Sequence, residues 1–436
     1  MKNKIFTGFL LLLVFFGCRK SDYLIEGNTE FFHDDGSGTG TVTWTKTNEY
    51  ILEGFVFVND GQVLTIEPGT VIRFRSGQAE NASALIVARG GKIIAEGTKE
   101  EPIIFTSEQD DLQGSLTKEE RGLWGGLIIL GNAPLNVSGG EARVEGIPWF
   151  EQRGTYGGGD EDDDSGSLRY VSIRHGGTNI GEGNEINGLT LGGVGNKTEI
   201  DFVEIISNED DGVEIFGGTV NLKHIVVSGC GDDAFDYDLG WSGNGQFWLG
   251  IENDFVGDNL IEAGGGVNPV IGFPHSLPNI YNATLISNGN TGNGALAVFE
   301  RFAGGVIANS ISMNDPNGIL LEVTDSRNDS YNQWKSGKLE IRNNLFYDVA
   351  GESGEPIFKL TGIFSAEMEN EWAAYFNAGQ NETGNPGIDL GSANFVPNPK
   401  ITGNLSDYPN SWFQRVDFKG AFGEDNWIEG WTQLAE

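Results

Sequence analysis

Two acidic phrases hold the residues whose types and spacing could do chemistry. Asn208-Glu-Asp-Asp-Gly212 is followed 22 residues later by Cys230-Gly-Asp-Asp-Ala234, and Asp236 and Asp238 follow the second pair. A period in the low twenties, with short β-rich runs between turn residues, predicts the coils of a solenoid. Successive coils rise by about one strand spacing, ~4.8 Å, so Asp210 would stand over Asp232 and Asp211 over Asp233. Carboxylates that close cannot all stay ionised unaided: one keeps its proton, or a cation bridges them. Three uses follow. Asp210, Asp211, Asp232, Asp233 and Asp236 could ligate Ca2+, a hard cation that takes several carboxylates. A pair drawn from Asp210, Asp211, Asp232 and Asp233 could hydrolyse a glycosidic bond, one acid protonating the leaving oxygen and one activating water. Alternatively the acids cap the coil turns through side-chain hydrogen bonds to nearby backbone N–H groups.

The elements that must position these acids are short strands. Leu168-Arg-Tyr-Val-Ser-Ile173, Ile200-Asp-Phe-Val-Glu-Ile205 and Leu222-Lys-His-Ile-Val-Val227 align as equivalent strands of successive coils. Strict alternation puts Leu168, Ile200 and Leu222 on one face with Tyr170, Phe202 and His224. Val171, Val203, Ile225, Ile173, Ile205 and Val227 then form an aliphatic inward stack, and His224 points outward. One such coil cannot bury its own apolar face, so neighbours must stack on it. Phe55-Val-Phe-Val58, Val63-Leu-Thr-Ile66, Val71-Ile-Arg-Phe74, Ala84-Leu-Ile-Val87 and Lys92-Ile-Ile-Ala95 keep the same grammar, each ended by Gly, Pro, Asn or Asp. Asn282, Asn309 and Asn343-Asn344 recur at turn-like places later, where asparagines can hydrogen-bond along a stack.

Charge narrows the partners. Asp and Glu outnumber Lys and Arg 63 to 27, a net charge of −36, so nucleic acid and anionic membrane surfaces are excluded as ligands. Divalent cations and neutral or cationic ligands are favoured, and no signature of an organic cofactor is present. Lys2 and Lys4 precede an apolar run, Phe9 to Phe16, too short to span a bilayer, followed by Gly17-Cys18. Residues 1–17 are therefore read as a signal peptide. The small residue before Cys18 resembles the lipobox of bacterial lipoproteins, which implies lipidation of Cys18. Residues 18–40, rich in Gly, Ser and Asp, are expected to be a flexible tether. Cys230 then has no partner in the chain and is read as a small buried residue.

Gly97-Thr98, Pro102-Ile-Ile-Phe-Thr-Ser107, Trp124-Gly-Gly-Leu127, Leu168 to Gly177, Asp210 to Gly218 and the ending Gly420-Ala-Phe-Gly423…Trp427 to Trp431 resemble right-handed parallel β-helix lipoproteins of Bacteroidetes. The resemblance implies an all-β, single-stranded parallel β-helix at the outer membrane, on its periplasmic face or at the cell surface, and no particular reaction. Compared with β-helix glycosidases, the chain has Arg174-His175-Gly-Gly in place of their Gly-His-Gly and no basic clamp after it. A lyase would need a Lys or Arg base, for which Arg169 and Arg174 are the nearest in sequence.

The helix is expected over 41–405, with polar insertions near 106–122 and 139–166. Thr117-Lys-Glu-Glu120 has capping-box spacing. Asp160 to Asp164 is five consecutive acids, read as a solvated loop or a Ca2+ site. Met368, Trp372, Tyr375 and Phe376 recur at helical spacing between Ser365 as N-cap and Gly379 as stop. Residues 406–436 carry Trp412, Trp427 and Trp431, expected either to cap the open end of the solenoid or to stack sugars. The functional expectation is a lipid-anchored binding or scaffold protein at the outer membrane or cell surface, with a glycan or other ligand or an outer-membrane transporter as partner. A carbohydrate-active enzyme and an adhesin or purely structural surface protein stand as alternatives.

Overall fold

The computed structural model describes residues 27–435 apart from 146, 149, 182–183, 254–255, 290–293 and 351–354. Cys18 and the expected signal peptide lie outside the described residues. The long sheets are parallel throughout, and the chain winds as a right-handed parallel β-helix. Each central coil is one bent strand, a turn, and a short strand on a second sheet. Glu199–Ile206, for example, leads through Asp210 and Asp211 into Val213–Phe216, and the next coil repeats this as Asn221–Ser228 and Phe235–Asp238. Register is held without slippage: Val171 pairs with Val203 and Val203 with Ile225, while Ile173, Ile205 and Val227 form the neighbouring row. These residues are buried in one continuous interior that runs from Trp44 to Trp372.

Strict alternation fails at one point in each bent strand. Tyr170, Phe202, His224 and Phe247 have φ between 47° and 60°, the left-handed region, so the strand turns a corner there. The corner resets the alternation, and Leu168, Ile200 and Leu222 point into the core together with Val171, Val203 and Ile225. The aromatic residue itself is thrown outward. A left-handed non-glycine residue costs about 1–2 kcal/mol, and here stacking across coils offsets it. Ring centroids are 4.5 Å apart for Tyr170–Phe202, 4.1 Å for Phe202–His224 and 4.9 Å for His224–Phe247. In the later coils Asn282, Asn309 and Asn343 occupy the same corner with φ of 57°, 52° and 57°, asparagine being one of the few side chains that tolerates it. His224→Ala is expected to lower unfolding stability by about 1–2 kcal/mol through lost stacking, while His224→Asn recovers part of it. Urea denaturation of the two variants checks this.

Two boundaries differ from expectation. Thr29–His33 is already a strand, paired in register with Glu49–Glu53. The expected tether therefore folds onto the first coil from Thr29, because Phe32 packs on Trp44 and Tyr50 there. At the other end the coils finish at Phe358–Gly362 and Glu382–Thr383, before residue 405. The terminal cap is the helix Ala366–Ala378, with Ser365 as N-cap and Gly379 at its C-terminus as expected. Its Trp372 is fully buried and stacks on Phe358 at 4.8 Å.

The aromatic tail is not an end cap. It lies along the flank of the solenoid, over the corners described above. Asn282 and Asn309 donate to the carbonyls of Phe418 and Asn404 (2.8 and 3.2 Å), and Asn343 donates to Asp407 Oδ2 (3.0 Å). Further along, Trp427 and Trp431 sit edge-on to the Phe202 ring, at 6.0 and 6.2 Å. The asparagine corners are thus hydrogen-bond anchors for the strap, and the aromatic corners its apolar seat. Thr117 to Glu120 forms the backbone half of a capping box as a single turn, and no helix follows. Among the described residues no helix is long and apolar enough to cross a membrane.

Candidate functional site

The acids converge on the outer face of the second sheet. Glu214, Asp236 and Glu262 stand in register on three adjacent strands, side chains outward. The turns that feed those strands supply Asp210, Asp211, Asp232 and Asp233 along one border. Opposite them, Phe216, Asp238 and Leu239 close the strand ends, and two loops rise as walls. One wall is the insertion hairpin with Ala142, Arg143, Glu145 and Tyr156; the other carries Val267 and, beside it, Arg301. The resulting open cleft has a volume of about 470 Å3, and nine carboxylates line it against two arginines.

Asp211 and Asp233 do two jobs at once. Asp211 Oδ1 accepts the backbone N–H of Asp233 at 2.9 Å, and Asp233 Oδ1 accepts that of Asn259 at 2.6 Å. Asn259 Oδ1 continues the series by accepting from Ala295 N at 3.1 Å. One oxygen of each acid therefore caps the next coil, and the second oxygen remains for the cleft. Turn capping and cation binding are compatible in this geometry.

Electrostatics make the cluster unusual. Burial, then the neighbouring Asp233 and Glu214, push the Asp211 carboxyl well above the usual range. Burial and Asp236 do the same to Glu214. Asp233 and Asp236 are likewise raised, by burial first and by adjacent carboxylates second. Oδ1 of Asp236 is buried and no N–H group reaches it; the Glu214 carboxyl, hydrogen-bonded to Asp236, is the neighbour with which it can share a proton. A buried carboxylate oxygen without a partner is costly, so this atom requires a proton or a cation. Ligand atoms of Asp210, Asp211 and Asp232 lie within 4.8 Å of one another, as do those of Asp211, Glu214 and Asp236, and those of Asp232, Asp233 and Asp258. Oxygens around a Ca2+ ion at about 2.3–2.6 Å sit at such separations. The residues present fit a calcium ion.

The chain matches the family described as a pectate-lyase-like β-helix domain over residues 36–389. It belongs to that family. No curated protein matches the chain. In this β-helix domain the arginines nearest in sequence to the acids are not in the cleft. Arg169 lies over the Tyr170 and Phe202 rings, each 5.6 Å from its guanidinium, and Arg174 is buried against Ser172. The cations that do reach the cleft are Arg143 and Arg301. Arg143 is held by the Thr155 hydroxyl and the Glu151 carbonyl. Arg301 pairs with Glu300 at 2.6 Å, Glu262 at 3.1 Å and Asp238 at 3.5 Å. Burial works against the charge of Arg301, but these three acids hold its pKa above the ordinary value.

The structure brings Asp210, Asp211, Asp232, Asp233 and Asp236 together, with Asp238 from the same acidic phrase, and adds Glu214, Glu262 and Arg301, which sequence reasoning did not include. The signal for Glu214 was available: the 22-residue offset that pairs Asp211 with Asp233 also pairs Glu214 with Asp236. Glu262 follows a longer coil, whose extra residues hide the period.

The remaining expected site residues lie elsewhere. Asp160 to Asp164 does not join any of the close carboxylate groups among the described residues: Lys92 pairs with Asp164 and Lys197 with Asp162, and Asp163 accepts from Asn132 and Ser165. Cys230 is buried in the core, where desolvation pushes its thiol up to about 12. His175 is buried, its Nδ1–H donating to the Glu120 carbonyl at 2.6 Å, and burial lowers its pKa. Trp431 is buried against the aromatic corners and offers no sugar platform; Trp427 stacks on Phe422 at 5.2 Å. Trp412 is half-buried, with the Lys223 ammonium 4.4 Å from its ring centre.

Proposed function

We propose that this protein is a calcium-dependent, polysaccharide-binding β-helix, held at the surface of the outer membrane by a lipid on Cys18. The observation that carries the reading is the Asp211, Glu214 and Asp236 group, three close, partly buried carboxylates in which no N–H group reaches Asp236 Oδ1. A cleft this acidic repels a polyanion when bare. A bound divalent cation offsets part of that charge and gives an acidic saccharide a ligand for its own carboxylates. Arg301, anchored by Asp238, Glu262 and Glu300, adds a fixed positive charge on the cleft wall.

A lyase is the second reading, favoured by the presence of Arg301 in the cleft. Its three ion pairs keep that guanidinium protonated, which suits binding better than proton abstraction. A glycosidase fits less well. Where β-helix glycosidases carry Gly-His-Gly, this chain has Arg174-His175-Gly-Gly, and His175 is buried with its Nδ1 on the Glu120 carbonyl, not among the cleft-lining residues.

The test is incubation of the protein with a panel of acidic and neutral polysaccharides, with and without calcium, following binding, new reducing ends and unsaturated-product absorbance together. Calcium-dependent retention on acidic polymers without product is expected. Unsaturated product that is lost in Arg301→Met would make this protein a lyase instead. Lipidation is checked separately by metabolic labelling with a radiolabelled fatty acid, which Cys18→Ser is expected to abolish.

A further inference from the structure

The loop 265–276 has a construction that the cleft alone does not explain. Its neck is pinned by buried polar groups: Ser276 Oγ donates to the Gly265 carbonyl at 3.1 Å and accepts the Gly240 N–H at 2.9 Å, and Asn136 Nδ2 donates to the same carbonyl. Ser276 is fully buried. The tip carries Val267, Ile271 and Phe273, which are 60%, 49% and 82% exposed. Compact surface loops of this length are ordinarily packed by their own side chains; this one turns its apolar residues out. Single exposed apolar residues need no explanation, but three on one short loop form a patch that does. In a chain of net charge −36 the placement is more conspicuous still.

The patch is continuous with the cleft. Val267 lines the cleft wall beside Arg301. Phe273 meets His275 edge-on at 5.9 Å, and His275 meets Phe302, the residue after Arg301, edge-on at 5.3 Å. These contacts orient the Phe273 ring and leave most of it uncovered. Three side chains are far smaller than the roughly 800 Å2 that each partner contributes to a standard protein interface. An anionic membrane surface is opposed by the acids beside it. A ring-sized platform at the mouth of a binding cleft suits the apolar face of a sugar.

We infer that the 265–276 loop is a saccharide platform, on which one sugar ring packs against Phe273 while the chain continues past Val267 into the cleft. This rests on the cation-bridged polysaccharide reading above and adds the residue that reads the sugar ring itself. The test is calorimetry on the full chain with calcium alone, then with hexagalacturonate and hexamannuronate at saturating calcium. Phe273→Ala is expected to leave calcium affinity unchanged and to weaken the better-bound oligosaccharide about five- to tenfold. Phe273→Trp is expected to restore or tighten it. Oligosaccharide affinity unaltered in Phe273→Ala overturns the platform while the cleft reading stands. Vesicle capture that depends on Phe273, with saccharide affinity unaltered, assigns the tip to a lipid surface and overturns it equally. Failure of the wild type to bind calcium overturns the cleft reading and this inference with it.

Discussion

Calcium at about a thousandfold above its dissociation constant is expected to stabilise the cation-free protein by about 4 kcal/mol at neutral pH, a rise of several degrees in melting temperature. The gain should vanish on acidification, because protons and calcium compete for Asp211, Glu214, Asp233 and Asp236. The sign follows from the direction of the shifts. All four carboxyls are raised in the folded protein, by burial first. The folded state thus keeps protons that the unfolded chain releases near pH 4, and unfolding sheds them. Their contribution is fully present below the unfolded range of about pH 4 and is lost as pH rises through the folded values. Without calcium, the wild type should therefore lose stability with rising pH relative to Asp236→Asn. With calcium, that difference should shrink or invert. Thermal melts of both proteins between pH 4 and 8, with calcium and with a chelator, supply the comparison.

Removing the cationic side chain on the cleft wall is expected to have an effect of similar size. Arg301→Met leaves Asp238, Glu262 and Glu300 without their shared partner. Breaking a buried pair costs about 3–5 kcal/mol; the Arg301 side chain is 33% exposed, so solvent screening reduces this to roughly 2 kcal/mol. The loss should be largest at neutral pH and smaller as pH falls, because Asp238 and Glu262, both raised by burial first, then take up protons. Calcium affinity should increase in the same variant, since a competing positive charge has gone. A destabilisation that is independent of pH would assign Arg301 a packing role through its aliphatic stem instead. Urea unfolding at pH 4.5 and 7.5, with calcium titrations alongside, separates the two.

The coil was legible because its signals are local. The 22-residue offset fixed which aspartates stack, and runs such as Val203-Glu-Ile-Ile206 could only be short buried strands. The corner residues were not legible. Period-2 alternation assumes a continuous extended strand, and nothing local to Tyr170, Phe202 or His224 announces a left-handed φ; only the later Asn282, Asn309 and Asn343 use a residue type that prefers it. The site was half-readable for the same reason. Asp210 to Asp236 falls in coils of equal length, whereas Glu262 and Arg301 arrive through coils of different length, so no fixed offset finds them. The tail was misread as an end cap because its aromatic content specifies apolar burial but not where. Its docking site is a row of corners contributed by coils far apart in sequence, and the end itself is covered by Trp372 on the helix already visible from its caps.

The central claim is that the stacked carboxylates form a cation site, and direct titration tests it most closely. Calcium binding would be measured by calorimetry on the wild type and on a variant carrying Glu214→Gln and Asp236→Asn together. These two substitutions leave the turn-capping oxygens of Asp211 and Asp233 in place. The account predicts saturable binding at neutral pH in the wild type, proton release on binding, and at least a tenfold loss in the variant with its fold retained. Equal calcium affinity in the two proteins, or none in the wild type, would contradict it and leave these acids as ties between coils.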